Sequence, residues 1–334
     1  MRLRRLPACI TLLLAGCGRY EDFQLPRVDR AEAGGVWTWE ALPEPVLRRG
    51  AREQFDAVDA LNPSVVVFDK VYYNLYSGFD GNTWHTGLAT SADGIQWEKH
   101  GQVLSPQGWE GSYIAANGAL LHDGREFLYW YQAGEPPRIG LARSRQGRLW
   151  RKHPGPVLHP GPRGSWDERG VADPYAVRFG GVYYVFYLGQ DRAARQRLGV
   201  ARSLDGVTWT KLRANPVLEL GETGSFDENG LGEPAVWFFE GSYWMLYTGR
   251  DRVENRRMGF ARSTDGVSWK KIAAPVLSGA FAWNDRVICD ATVEVTSGGV
   301  RVWFGGGNVA RPDERLNGQI GYGLLRWKPV QGLP

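Results

Sequence analysis

Cysteine is almost missing from these 334 residues, and its scarcity excludes several kinds of protein at once. Only Cys9, Cys17 and Cys289 occur, and the first two lie in an N-terminal stretch with the marks of a processing signal. The rest of the chain then holds one thiol and no intrachain disulfide. A lone cysteine beside Asp290 reads as a small buried apolar residue rather than a nucleophile. The five histidines, His85, His100, His122, His153 and His159, show no metal-ligand spacing, so no metal and no cofactor is expected. Past the N-terminus no apolar run approaches the ~20 residues that a membrane helix needs. A long basic run is missing as well, so nucleic acid is not an expected partner.

What the N-terminus does contain is informative. Arg2, Arg4 and Arg5 form a charged region, followed by a short apolar one from Leu6 to Leu14. Leu14-Ala15-Gly16-Cys17 resembles a bacterial lipobox, in which small residues let the chain enter a peptidase groove and the cysteine is acylated. The resemblance implies a signal peptide over residues 1–16, lipidation of Cys17 and a tether over residues 17–33. With Gly18 rather than Asp after the cysteine, it also implies a lipoprotein of the bacterial cell envelope anchored in the outer membrane. An ordinary secretory signal or a short uncleaved anchor is the alternative. An acylated end tethers without spanning, so the expected membrane contact is through the lipid anchor only. Removing residues 1–16 takes away three arginines and no acid, and the formal net charge drops by three, from +4 to +1.

Glycine and tryptophan are plentiful, at 44 and 15, which suits a turn-rich β protein. The sequence also repeats. Val46, Val103, Val157, Val217 and Val276 each precede a leucine at spacings of 54 to 60 residues. Within a repeat, a short apolar run is followed by an aromatic run such as Tyr183-Tyr184-Val185-Phe186-Tyr187. A third strand follows, opening for example at Leu198-Gly199-Val200, and turns at Asp205-Gly206 into a fourth that carries Trp209. Equivalent turns stand at Asp93-Gly94, Gln146-Gly147 and Asp265-Gly266. Ser91-Ala92-Asp93-Gly94-Ile95-Gln96-Trp97 looks like a sialidase Asp-box one residue short, with a structural role under the aromatic.

The fifth repeat ends at Trp327-Lys328-Pro329 without its last strand, whereas Val36-Trp37-Thr38-Trp39 stands alone at the start. Joining the two completes the last sheet and removes an open edge. The expected fold is all-β: a five-bladed β-propeller of four-stranded blades over residues 34–334, closed by the N-terminal strand. This topology brings Asn62, Asn117, Asp173, Glu233 and Asp290 to one central opening, because each precedes the first strand of its repeat. It places His85, Arg138, Asp191-Arg192, Arg250-Asp251-Arg252 and Arg311 around the rim. Trp84 and Trp109 are candidates for stacking on a ring, and Arg192 and Arg252 pair as readily with surface acids. Asp167-Glu168 and Asp227-Glu228 are expected to tie neighbouring blades together.

Two carboxyl groups facing each other across a small pocket can divide into one protonated and one ionised, as cleavage of a glycosidic bond requires. At Ala172-Asp173-Pro174 and Gly232-Glu233-Pro234 the chain resembles the five-bladed propeller glycosidases, namely the family 43 arabinanases and xylosidases and, more distantly, the invertase and levansucrase group. That resemblance implies Glu233 as general acid and Asp173 as the residue that tunes it. Its third position, a base Asp in the first blade, is here Asn62 of Asn62-Pro63-Ser64-Val65, and an amide accepts no proton at neutral pH. A family calcium ligand, a histidine in the fifth blade, has no counterpart in Trp303-Phe304-Gly305-Gly306. Asp290 is the favoured base, with Asp59 or Asp56 as further candidates. Phosphate could instead be the nucleophile, held by Arg192, Arg250 or Arg252 as in related phosphorylases. Asn62, Asn117 and His85 complete the expected contacts to an oligo- or polysaccharide. The alternative is a non-catalytic carbohydrate-binding lipoprotein built on the same pocket.

Overall fold

The computed structural model describes residues 19–26 and 34–329. Its strands fall where the four-part repeat puts them, and among the described residues the one helical piece is a 3-10 turn at Gly108–Glu110. Two strands come early in the chain and join sheets made later: β1 (Arg19–Glu21) and β2 (Gly35–Ala41). The first antiparallel sheet is β3 (Asp59–Phe68), β4 (Val71–Phe79), β5 (Trp84–Ser91) and β6 (Glu98–Leu104). The second is β7 (Ala115–His122), β8 (Phe127–Ala133), β9 (Arg138–Ser144) and β10 (Arg151–Lys152).

The third is β11 (Gly170–Phe179), β12 (Val182–Gln190), β13 (Gln196–Ser203) and β14 (Thr210–Leu212), with β1 added in parallel outside β14. The fourth is β15 (Gly230–Phe239), β16 (Ser242–Arg250), β17 (Arg256–Ser263) and β18 (Lys270–Leu277). The fifth holds β19 (Val287–Thr296), β20 (Gly299–Gly307) and β21 (Gln319–Pro329), and β2 lies antiparallel along β21 from Gly35↔Pro329 to Ala41↔Gly323. A single parallel bridge, Arg256↔Val287, links the fourth and fifth sheets. The innermost strands touch in cyclic order: β3 with β7, β7 with β11, β11 with β15, β15 with β19, and β19 with β3.

Aromatic side chains fill the space between sheets. Trp130 lies completely buried between the second and third, and its indole donates to the carbonyl of Gly206 at 2.8 Å. In the fifth, Trp37 of β2 packs edge-on against Trp327 of β21 and Trp244 of β16 at ring separations of 4.9 and 5.5 Å. At the hairpins, glycine supplies the left-handed backbone, with φ +78 at Gly94 and +72 at Gly206. The aspartate before it acts as an acceptor: Asp93 Oδ1 receives the N–H groups of Ile95 and Gln96 at 2.8 and 2.9 Å. The structural role read from the Asp-box-like segment is thus the one it has.

Two expectations need correction. The acids that follow the loop aromatics tie parts of their own sheet together, not neighbouring sheets. Asp167 accepts from Tyr187 of β12 at 3.3 Å and from Lys211 of β14 at 2.5 Å. Asp227 does the same with Tyr247 and Lys271, Asp56 with Tyr76 and Lys99, and Glu110 with Tyr131 and Lys152. The fifth sheet has Asn284 and Phe304 in the matching places with no lysine beside them, so the buried ion pair is replaced there by a neutral amide that accepts the N–H of Phe281.

The second correction concerns residues 17–33, read as a free tether. Residues 19–26 are part of the folded body, because Phe23 and Leu25 are apolar and find a groove between the third and fourth sheets. Leu25 donates its N–H to Asp265 at 2.8 Å, and Tyr243 donates to the carbonyl of Pro26 at 2.5 Å. The signal over residues 1–16, Cys17 and the rest of the tether lie outside the described residues.

Candidate active site

Each inner strand carries the same interruption at the same place. The ladder between first and second strands shifts register between Leu61 and Ser64, Ala116 and Gly118, Ala172 and Tyr175, Gly232 and Ala235, and Cys289 and Thr292. The residue inside each bulge has a left-handed backbone: φ is +50 at Asn62, +50 at Asn117, +48 at Asp173, +52 at Glu233 and +56 at Asp290. Such a conformation costs a non-glycine residue on the order of 1–3 kcal/mol and persists only where the surrounding structure imposes it. Pro63, Pro174 and Pro234 follow three of the five, and a residue without an N–H loses no ladder bond in a bulge. The bulge turns the strained side chain out of the alternating pattern and toward the axis.

All five line one cavity of ≈ 730 Å³, whose wall also includes Trp84, Tyr113, Gln132, Thr248, Arg250 and Arg256. Asn117 donates its amide to Asp173 Oδ1 at 2.5 Å and to Gln132 at 3.3 Å. The N–H of Asp290 is shared between Glu233 Oε2 and Thr248 Oγ1, each at 3.3 Å. Cys289 donates to Asp290 Oδ2 at 3.0 Å, and Asp290 Oδ1 is buried with no partner. Arg250 and Arg256 stand opposite each other on β16 and β17. Arg250 is held by Gln196 and Glu254, and Arg256 by the carbonyls of Arg311 and Pro312.

Three acids and two guanidinium groups in so small a space compete for protons. Burial pushes Asp173 up to about 7, helped by the charge of Glu233 and opposed by Arg250, Arg256 and the Asn117 amide. Burial also drives Asp290 well above the usual carboxylate range, and again Glu233 adds to the effect. Their contact runs from the backbone N–H of Asp290 to Glu233 Oε2, and the partnerless Oδ1 of Asp290 costs less on a neutral carboxyl group than on a buried carboxylate. The Cys289 thiol is pushed far up by burial and by Asp290 and Glu233, so it is a neutral neighbour and not a nucleophile.

Glu233, Cys289 and Asp290 offer three ligand atoms within 4.8 Å of one another, the densest metal-capable group among the described residues. The Arg256 guanidinium already answers the same three groups; burial works against its charge, but they more than offset this and raise its proton affinity. A metal ion would have to share their field with that fixed cation.

The expected site residues divide cleanly. Glu233, Asp173, Asp290, Asn62, Asn117 and Arg250 meet at the cavity. His85 does not reach it: its Nε2 pairs with Asp80 at 3.2 Å, and its ring packs edge-on against Phe55. Its neighbour Trp84 lines the wall instead, because successive residues of a strand face opposite ways. Arg192 and Arg252 are 62% and 67% exposed, in matching ion pairs with Glu168 and Glu228 at 2.9 and 3.0 Å. Trp109, on the rim by expectation, packs on Gly134.

Arg256, Gln196, Gln132 and Thr248 were not foreseen. A signal existed for two of them. Trp84, Gln196 and Arg256 each stand three places before the strand glycines Gly87, Gly199 and Gly259, one repeat position that faces the cavity.

Residues 64–284 match the glycosyl hydrolases family 32 N-terminal domain. An uncharacterized protein of Mycobacterium tuberculosis (strain ATCC 25618 / H37Rv) is 29% identical over 237 residues, which are 66% of this chain and 77% of that one. A 1,2-beta-oligomannan phosphorylase of Thermoanaerobacter sp. (strain X514) is 30% identical over 125 residues, 35% of this chain and 41% of its own. Among solved structures, one comes from the family 130 mannoside phosphorylases, a group described as containing glycoside hydrolases that target beta-1,2 mannosidic linkages in Candida mannan. It superposes with a TM-score of 0.65 at 16% identity, over 93% of this chain and 99% of that one. These likenesses place the fold among the propeller glycosidases.

Proposed function

Because the chain belongs to the glycosyl hydrolases family 32 N-terminal domain family, we propose that it cleaves a glycosidic bond in the axial cavity of a five-bladed propeller. The cyclic contacts of the five inner strands and the pairing of β2 with β21 support the blade count and its closure. The observation that carries the reading is the convergence of five strained side chains, three of them acids, on one cavity. Glu233 is the proton donor to the leaving oxygen, since it is the least buried of the three acids and its carboxyl group lines the cavity beside Asp290. Asp173 keeps its place through Asn117 and orients the donor across the axis. Asp290 is a proton store rather than the base expected of it, because a carboxyl group already protonated accepts nothing.

That leaves no carboxylate at the first sheet's place on the cavity wall, where Asn62 stands, because Asp59 is taken up by the N–H groups of Arg315 and Gly318 and Asp56 by Tyr76 and Lys99. The second reading follows from this and from the facing Arg250–Arg256 pair: inorganic phosphate, held by the two guanidinium groups, attacks the anomeric carbon. The carbon–oxygen bond to the leaving sugar breaks, Glu233 protonates the released oxygen, and a sugar 1-phosphate leaves. The relatives' names make β-1,2-linked mannosides the first substrate class to try. The test is product release from a panel of mannosides, fructosides and arabinosides, with and without phosphate, for the wild type and Glu233→Gln. Turnover lost in the variant supports the enzyme; a phosphate requirement selects phosphorolysis. Sugar binding without turnover on any substrate would overturn both in favour of a carbohydrate-binding protein. Tethering at the outer surface of a bacterial cell through an acylated Cys17 belongs to the same proposal, and incorporation of labelled fatty acid, lost in Cys17→Ser, tests it.

A further inference from the structure

We propose that the outer corner formed by the turns after β9 and β13, at the end of the strands away from the cavity, docks on an anionic lipid bilayer. The two turns present Leu149 and Leu204, 85% and 81% exposed, the most exposed large apolar side chains among the described residues. Around Leu149 lies a basin of ≈ 390 Å³ lined by Arg143, Arg145 and Arg151, and Arg148 is exposed beside it. Arg143 reaches across to the carbonyl of Asp205, at 3.3 Å, so the two turns form one surface. Arg145, Arg148 and Arg151 have no ion-pair partner among the described residues. The acids nearby are already engaged. Glu126 pairs with Arg143 at 2.8 Å, and the Asp205 carboxylate accepts the N–H groups of Val207 and Thr208.

Two features select a bilayer over a protein partner. The leucines stand on convex turn tips among long flexible arginines, a shape that fits a fluid surface of headgroups and acyl chains better than a rigid complementary face. The chain also arrives at this corner: Arg19 pairs with Thr210, Thr210 with Arg202, and Arg202 is two residues from Leu204. Cys17 is two residues before Arg19 in sequence. An anchor there would leave little slack between the bilayer and these turns, and β13 runs from Gln196 on the cavity wall to this corner, roughly 25 Å away. The cavity then opens away from the membrane. The inference goes beyond cleavage chemistry and uses none of the axial acids.

The test uses the chain from Gly18 onward, which contains every described strand and lacks the acylated cysteine, with vesicles of phosphatidylcholine alone or with about one third phosphatidylglycerol. Co-sedimentation should show binding to the anionic vesicles that weakens with added salt. Arg145→Glu/Arg148→Glu/Arg151→Glu should weaken it by a hundredfold or more, at roughly fivefold for each cationic charge removed. Leu149→Ser/Leu204→Ser should weaken it at least tenfold while melting curves stay unchanged. Equal binding by the variants, equal binding to uncharged vesicles, or tighter binding to a soluble polyanion than to vesicles of matched charge would overturn it. The assay reads partition and not turnover, so its failure leaves the glycosidase proposal untouched.

Discussion

The backbone N–H of Asp290 points at Oε2 of Glu233 from 3.3 Å, so the fourth and fifth inner strands are joined through the acid that faces the cavity. Any change at either residue therefore acts on both position and proton. The bond is between adjacent strands that otherwise meet through side chains, and it fixes the spacing of the two carboxyl groups before any substrate enters.

Replacing Glu233 with Gln keeps this bond, since an amide oxygen also accepts, and removes the transferable proton. Turnover should fall about 10²–10⁴-fold with the melting temperature nearly unchanged. Asp290→Asn should cost much less, about tenfold, because Asn imitates the neutral carboxyl group already present. A loss at Asp290→Asn as large as at Glu233→Gln would restore Asp290 as the base. Initial rates with an activated aryl glycoside decide between the two.

Stability should depend on pH in a direction that the axis sets. Asp173 titrates near 7 when folded and about 4 when unfolded. Between those values the folded chain holds the extra proton, so stability falls as pH rises from about 4 to 7. Asp290 adds a slope of the same sign. Asp173→Asn should flatten the curve of melting temperature against pH across this window. An unchanged slope would mean that the acid is not held neutral.

Arg256 is 6% exposed and faces Cys289, Glu233 and Asp290. Arg256→Gln leaves buried acid without its cation and should destabilise by about 3–5 kcal/mol, as read from urea denaturation. Arg250→Gln, on the same wall but tied to surface-reaching Glu254, should cost less stability. If phosphate is the nucleophile, Arg250→Gln should raise the KM for phosphate more than tenfold.

The buried lysines give a test of the frame away from the site. Lys211 and Asp167 are 4% and 0% exposed, whereas Lys271 is 27% exposed in the same arrangement. Lys211→Met should destabilise by about 3–5 kcal/mol and Lys271→Met by clearly less, because the Lys271 ammonium is partly in water and its pair with Asp227 is less completely desolvated. Equal losses would show that the two clusters are desolvated alike.

Much of the frame could be read from spacing alone. The repeat located the strands, the Asp-Gly pairs located the turns, and the unpaired Val36-Trp37-Thr38-Trp39 foretold the pairing of β2 with β21. The convergence of Asn62, Asn117, Asp173, Glu233 and Asp290 was also legible, since a fivefold repeated position becomes a ring. Their backbone was not. No residue type announces φ near +50 at a glutamate, and the bulge moves these residues from strand start to strand interior.

His85 was misplaced by one residue, which in a strand means the opposite face. Arg192 and Arg252 stayed undecided between a substrate and a surface acid because loop arginines are long enough to reach either, and the structure pairs them with Glu168 and Glu228. The segment around Phe23 and Leu25 looked like tether because two apolar residues have no periodicity.

The fifth sheet is assembled from both ends of the chain, and this bears on how the protein is made. Trp37 and Trp327 are roughly 290 positions apart, so a ribosome moving at about 5–20 residues per second delivers them some 15–60 seconds apart. For all that time β2 exposes an unpaired edge with Trp37 and Trp39 on it, a hazard that the finished molecule no longer shows. The matching positions in this sheet hold Asn284 and Phe304 rather than an acid and a tyrosine, so the last strand to dock has no ion pair to strip of water. The latest step of assembly thus joins a backbone ladder to aromatic packing, with no buried charge to pair. In a cell that exports the chain before it folds, any helper that shields it should recognise its first tryptophans.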